Sequence, residues 1–528
     1  MAHVLQHLPL SHPALSIICT AGPSIYEAET VGGKWQTKRA LFEELLEVGM
    51  RIVRINFSHV KKPDYEKIKC MIAHIRGLEE KTGRPIPILM DLKGPEIRIV
   101  NILNKRRKPP EPPLEIGKGE WLEISTRADA KKALDARAGH RLVVTFEGDL
   151  YSQMVDNEAV VVGDNELYLR IIEKVKGGVL CVTENPGLLK INKGLNLPDR
   201  GKLEAPVVVE EDAGALREGF DIDLIAQSFV RSHSDIAELR GFLGGTPMKD
   251  KPIIVKIETP PAVDDIDAIL RADGVFGVMV ARGDLGVLAD FTKIPQLQER
   301  IINSANKLGK PVIVATQMLE SMVERPKPWR PEVQDISTAI KEGADALMLS
   351  EETAVGGFPK ETVTVMAEVI RENMLLDHRK EYLKKFDEDY AVPHPDRPID
   401  VLGFAICEVA VEAMSPFILS YATTGISATL ISRFRPKMPV LAITNRKDTA
   451  RKLCLLYNVY PVLVASDPLP RHPREFIKFL REIVAELGLK DKIKRNGKAS
   501  SKVFLVGTQE LTRTVGGGKA QGIFVFEP

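Results

Sequence analysis

Cysteine is scarce in this 528-residue chain, and its pattern excludes two common scaffolds. The five residues, Cys19, Cys70, Cys181, Cys407 and Cys454, are widely scattered, odd in number and free of CxxC pairs. That argues against both a disulfide framework and a zinc site, and implies a reducing compartment. Long hydrophobic runs are missing too: nothing approaches the roughly 18 apolar residues of a membrane span. "MAHVLQHLPLSHPALS" at the start has no basic stretch leading into a long apolar one, so no membrane association is expected and the chain reads as cytoplasmic. An excess of one charge is also absent. Lys and Arg number 73 against 72 Asp and Glu, a net +1, so no global field points to nucleic acid, a membrane surface or acidic partners.

What remains is an ordinary soluble enzyme's composition, 44% hydrophobic and 27% charged. At about 150 residues per domain the length suggests three or four domains. Eight short β-rich apolar runs recur: 14–22, 51–58, 85–92, 223–230, 252–258, 277–282, 311–316 and 345–350. Segments of helical period precede most of them, including "KRALFEELLEVGM" (38–50), "EKIKCMIAHIRGLEEKTG" (66–83) and "PQLQERIINSANKLGK" (295–310). Eight such units predict an α/β fold, a (β/α)₈ barrel.

The barrel alternation covers 15–98 and 195–389, after an N-terminal extension 1–14. Between them, 99–194 reads as short strands and turns without helices, an inserted all-β domain. The proline-containing linker "YAVPHPDRPID" opens a C-terminal α/β domain, 390–528, in which helix and strand alternate again.

Polar residues interrupt the apolar runs at one end only. Residues two apart in a strand share a face, so Arg54, Asn56 and Ser58 fall together, as do Lys256 and Glu258. Asp91 ends the third run, Asp284 follows the sixth, Thr316 ends the seventh, and Ser350 with Glu352 follows the eighth. In such a barrel the C-terminal strand ends form the active-site face. Any one of these residues alone reads better as a strand-end ion pair. Together, two cations and three acids at one mouth predict a site for a phosphoryl group and Mg²⁺.

"CTAGPS", "VRINFSH", "DLKGPEIR", "SFVR", "VKIE", "MVARGDLGV", "PVIVATQMLESM" and "LSEETAVGGFP", in this order, closely resemble pyruvate kinase. The resemblance implies phosphoryl transfer from phosphoenolpyruvate to ADP, and a small β-barrel inserted after "GPEIR". It implies Mg²⁺ or Mn²⁺ on Glu258 and Asp284, and K⁺ on Asn56, Ser58, Asp91 and the carbonyl of Leu92. Lys256 would stabilise the phosphoryl group in flight and the enolate left behind, and Arg54 would grip the phosphate. The backbone N–H groups of Gly283 and Asp284, with Thr316, would hold the substrate carboxylate, and Thr316 and Ser350 would lie on the proton relay. Pro23, Asn56, His59 and Arg98 would contact ADP. A homotetramer is implied as well.

Several positions depart from the family pattern. Glu96 matches the K⁺-dependent form, whereas Leu92, in place of a frequent threonine, is commoner in the K⁺-independent one. Glu211 stands where a lysine linked to nucleotide contact is typical. Glu351 replaces a glycine, and Trp329 a threonine. In "YATTGISAT", Thr424, Gly425 and Ser427 resemble the family's sugar-phosphate effector loop, although an ordinary strand-to-helix turn explains them equally well. "TVGGGKA" is not a Walker A loop, and "KRRK" (105–108) reads as a solvated loop. Two other readings stand beside the kinase: a non-catalytic relative that binds phosphorylated metabolites, and another Mg²⁺-enolate barrel lyase.

Overall fold

The computed structural model describes residues 15–31, 34–103, 114–126, 142–146, 154–163, 166–175, 178–191, 193–197, 206–376, 378–387, 398–464, 473–486, 505–511 and 520–526. The N-terminal extension, "KRRK", most of the 390–400 linker and most of "TVGGGKA" lie outside them.

Eight parallel strands close into a barrel: β1 (Ser16–Thr20), β2 (Met50–Asn56), β3 (Ile88–Asp91), β4 (Leu224–Gln227), β5 (Ile253–Ile257), β6 (Val275–Ala281), β7 (Val312–Ala315) and β8 (Ala346–Leu349). All eight fall within or against the apolar runs of the sequence. Their near-continuous hydrophobicity follows from burial on both faces, one toward the helices and one toward the barrel axis. The axis is packed by Ile18, Ile52, Leu89, Ala226, Ile254, Met279, Ile313 and Met348, all almost wholly buried.

One helical reading needs correction. The segment 38–50 is helical only over Phe42–Val48; before it, Tyr26–Val31 and Lys34–Ala40 pair as an antiparallel hairpin. Pairing with Tyr26–Val31 holds that strand, and the helical period begins only at Phe42.

Strands between Ile99 and Asn196 form a second, seven-stranded sheet around a separate core that includes Ile99, Leu122, Val160 and Leu169. An antiparallel bridge between Arg98 and Gly194 sits beside its first and last strands. With Ile99 N–H donating to Lys193 O and Leu195 N–H to Ile97 O, it joins the two edges of the sheet. That ties the two edge strands together at one end. The C-terminal sheet has five strands, four of them parallel, with the last, Ala520–Phe526, antiparallel at one edge.

The C-terminal unit packs against the barrel's N-terminal end. Cys454 and Leu455 join the axial cluster, and Ser16 Oγ donates to Cys454 O. Arg451 reaches Glu79 at 2.7 Å and Asp223 at 3.3 Å, while Arg435 pairs with Asp345 at 3.0 Å. The opposite, C-terminal strand ends are thereby left for chemistry.

Candidate active site

Moving two residues along each strand from its axial apolar residue gives the next inward position. From Ile18, Ile52, Leu89, Ala226, Ile254 and Met348 that step reaches Thr20, Arg54, Asp91, Ser228, Lys256 and Ser350. The axial stack therefore ends in a polar layer at the barrel mouth. Thr20 and Ser228 were not singled out from the sequence, although the same step locates them.

The layer is tightly paired. Arg54 Nε donates to Asp91 Oδ2 at 2.7 Å, and Arg54 Nη1 to Thr20 Oγ1 at 3.0 Å. Lys256 Nζ donates to Ser228 Oγ at 2.8 Å and lies 3.2 Å from Asp91 Oδ1 and 2.8 Å from Glu258 Oε1. Burial disfavours the Lys256 ammonium, but Asp91 and Glu258 outweigh it and hold its pKa above the usual lysine value. Burial likewise works against the Asp91 carboxylate, and Lys256 and Arg54 reverse it, so its pKa falls. Both groups stay charged across the physiological range.

Glu258 follows β5 and is fully buried. Its Oε2 accepts the Phe229 N–H at 2.6 Å, and that N–H is aimed by a backbone with φ of 53°. Its Oε1 has no hydrogen bond, only the ion contact with Lys256. A buried carboxylate oxygen without a hydrogen-bond donor suits a hard cation. Among the described residues no group of three or more His, Cys, Asp or Glu forms a metal site. Glu258 with Asp284 instead fits Mg²⁺, which takes one or two carboxylates and completes its shell with water and substrate oxygens.

"ARGD" now has a structural explanation. β6 ends at Ala281 and a helix runs over Arg282–Leu288, so Gly283 and Asp284 lie in its first turn. Gly283 N–H donates to Thr316 Oγ1 at 2.8 Å, and that hydroxyl donates to Ala315 O at 2.6 Å. Thr316 and Gln317 both adopt positive φ, 68° and 54°, a costly conformation for non-glycine residues. Arg282 holds it in place: Nη2 donates to Thr316 O at 2.6 Å and Nη1 pairs with Asp335 at 2.5 Å. Neither Arg282 nor Asp335 was identified as a site residue from sequence, because their partners come from a different loop and a different helix. Ser350 Oγ is buried without a hydrogen-bond partner, while its N–H donates to the buried Glu352 at 2.7 Å.

The other predicted residues lie around this layer. β2 ends at Asn56, so Ser58 sits in the following 3₁₀ turn rather than on the strand face, and its N–H donates to Asn56 Oδ1 at 3.1 Å. Leu92 O accepts from Ser228 Oγ at 2.6 Å. Pro23 O accepts from Arg39 Nη2 of the hairpin at 2.6 Å. Partial burial, then the charges of Arg98 and Arg54, lower the His59 pKa, which places this imidazole near both guanidiniums. Arg98 pairs with Glu96 at 2.6 Å. Glu211 pairs with Lys93 at 2.8 Å, beside the buried Asp212 that accepts the N–H groups of Lys93 and Gly94. Far from this mouth, Gly425 has φ of 93° and precedes the helix Ile426–Arg433. Ser427 is buried there and Thr424 exposed.

Comparison with known proteins gives the family. The profile of "Pyruvate kinase, barrel domain" matches residues 13–363, and that of "Pyruvate kinase, alpha/beta domain" matches 400–509. The chain belongs to the pyruvate kinase family. The family's enzymes from Staphylococcus saprophyticus and Dictyostelium discoideum are 33% and 34% identical to it, each over 85% of this chain and over 71% and 84% of their own length. That of Clostridium acetobutylicum is 33% identical over 82% of this chain and 87% of its own. Family membership makes the chain a phosphotransferase. No helix among the described residues is long and apolar enough to cross a membrane.

Proposed function

We propose that this phosphotransferase moves the phosphoryl group of phosphoenolpyruvate to ADP at the barrel mouth, giving pyruvate and ATP. The observation that carries this reading is the charged layer of Arg54, Asp91, Lys256 and Glu258, two cations and two anions from three strands in one connected network. Phosphoryl transfer passes through a loose transition state, so positioning and charge neutralisation supply most of the catalysis.

In this reading Arg54, fixed by Asp91 and Thr20, grips the substrate phosphate. Lys256 faces the phosphoryl group in transit and the enolate oxygen released behind it; its neighbours keep it protonated, so its charge is in place before the reaction begins. Gly283 and Asp284 N–H groups with Thr316 orient the substrate carboxylate, which takes over the Gly283 N–H now held by Thr316 Oγ1. Glu258 and the Asp284 carboxylate would hold Mg²⁺ or Mn²⁺, which supplies charge neutralisation at the phosphoryl oxygens. Asn56, Ser58, Asp91 and Leu92 O, all oxygen donors, suit K⁺. Pro23, Asn56, His59 and Arg98 face the nucleotide.

Enolate protonation needs a hydroxyl or water. Thr316 already spends its proton on Ala315 O, whereas Ser350 Oγ is unpartnered, which favours Ser350 as the protein end of the relay. The proposed division assigns 15–98 and 195–389 to the barrel, 99–194 to the inserted domain and 390–528 to the C-terminal domain. A homotetramer in the cytoplasm completes the reading, and the five free thiols suit that compartment.

The test is a coupled assay of pyruvate formation from phosphoenolpyruvate and ADP. Turnover that requires Mg²⁺ or Mn²⁺ and rises with K⁺ is expected. Phosphoenolpyruvate binding without turnover would favour the non-catalytic relative, and turnover of another oxo acid without ADP would favour a lyase.

A further inference from the structure

A second cavity, of about 230 Å³, lies away from the barrel mouth, between the helices Arg330–Glu342, Pro359–Met374 and Arg379–Asp387 on one side and the C-terminal unit on the other. Among the described residues that line it, Lys341, Arg379, Arg435 and Lys437 are cationic, His378 adds an imidazole, and none is acidic. Of these, Arg379 pairs with Glu408 at 2.6 Å and Arg435 with Asp345 at 3.0 Å. His378 differs from them, since its Nε2 is buried and has no hydrogen-bond partner. A buried polar atom without a partner costs free energy that a ligand can recover.

The remaining wall is mostly apolar and aromatic, with Ile340, Met374, Tyr382 and Tyr457, and its one amide, Asn373, is bonded to Ser337 Oγ and Val369 O. The Arg435 guanidinium lies over both tyrosine rings, at 5.2 Å and 4.4 Å from their centroids, which fixes that wall. A concave apolar surface with a few convergent polar groups is the general form of a small-molecule site. Here the four described cations favour an anion.

We propose that this cavity binds a small organic anion, a carboxylate or phosphate monoester on a ring or similarly apolar body, with His378 and Lys341 meeting the anionic head. The site also touches the catalytic frame. Ile340 and Lys341 stand on the same helix as Asp335, which holds Arg282 and through it the backbone of Thr316. The inference does not depend on which reaction the barrel mouth performs.

Calorimetric titration of the full chain with benzoate, phenyl phosphate and inorganic phosphate, and with uncharged benzyl alcohol as control, tests it. Saturable binding of benzoate or phenyl phosphate is expected, weakened at least about tenfold in Lys341→Ala and in His378→Ala. The KM for phosphoenolpyruvate should stay within about twofold in Lys341→Ala, whose side chain is at the surface. No saturable binding of any probe, equal binding in both variants, or benzyl alcohol binding as well as the anions would overturn the proposal. So would displacement of the probes by phosphoenolpyruvate, which would place them at the barrel mouth.

Discussion

Lys256 Nζ and Glu258 Oε1 stand 2.8 Å apart, both side chains nearly or wholly removed from water. A buried pair of this kind adds little net stability, because desolvation consumes the Coulombic gain, but removing one member leaves the other charge uncompensated. Here Lys256 neutralises two carboxylates at once.

Lys256→Met is therefore expected to lower kcat by at least about 10²–10³-fold, the loss typical of one preorganised electrostatic group. It should also destabilise the fold by about 3–5 kcal/mol, since Asp91 and Glu258 lose their shared cation. Steady-state kinetics with thermal unfolding measures both. Turnover within a few-fold of the parent would remove Lys256 from the chemistry.

Glu258→Gln and Asp284→Asn each replace an anionic oxygen by a neutral one. The divalent-ion concentration for half-maximal activity should rise at least about tenfold in each. A titration with Mn²⁺, followed by both activity and its paramagnetic signal, separates weaker binding from slower chemistry. Unchanged metal dependence in both variants would make these carboxylates structural.

Asp212 supplies a pH prediction. Burial raises its pKa to about 6, against the opposing hydrogen bonds from the Gly94 and Lys93 N–H groups. The folded protein thus keeps this proton up to about pH 6, while the unfolded chain releases it near pH 4. Between those values the folded state binds more protons, so this group's contribution to stability falls as pH rises, by about 3 kcal/mol in all. Asp212→Asn carries no such proton. Plotted against pH, the stability difference between parent and variant should shift toward the variant from pH 4 to pH 7. Parallel curves would refute the assignment.

Fructose 1,6-bisphosphate is expected to be a weak activator or none. Ser427 is buried, Arg446 is committed to Asp448 at 2.8 Å, and Lys452, packed against Gly425, lies over the Phe276 ring, which leaves few cations among the described residues for two phosphates. Activity at low phosphoenolpyruvate measures this. A rise of more than about tenfold, lost in Thr424→Ala, would restore the loop as a bisphosphate site.

Sequence alone determined the barrel, because parallel strands buried on both faces must be apolar throughout and each polar break is conspicuous. Arg54, Asp91, Lys256 and Glu258 were legible for that reason. The hairpin at 26–40 was not, since beyond the buried Tyr26 its strands are half-buried or exposed and adjoin a helical period. Ser58 was placed one element too early, because period two says nothing about where a strand stops. Only the tertiary structure decided that Glu211 meets Lys93, that Arg282 fixes the Thr316 backbone through a helix some fifty residues later, and that four cations and a histidine from two units line one cavity. Periodicity reports the face a residue occupies within its own element; which other element that face meets is set by barrel closure and by the docking of the C-terminal unit.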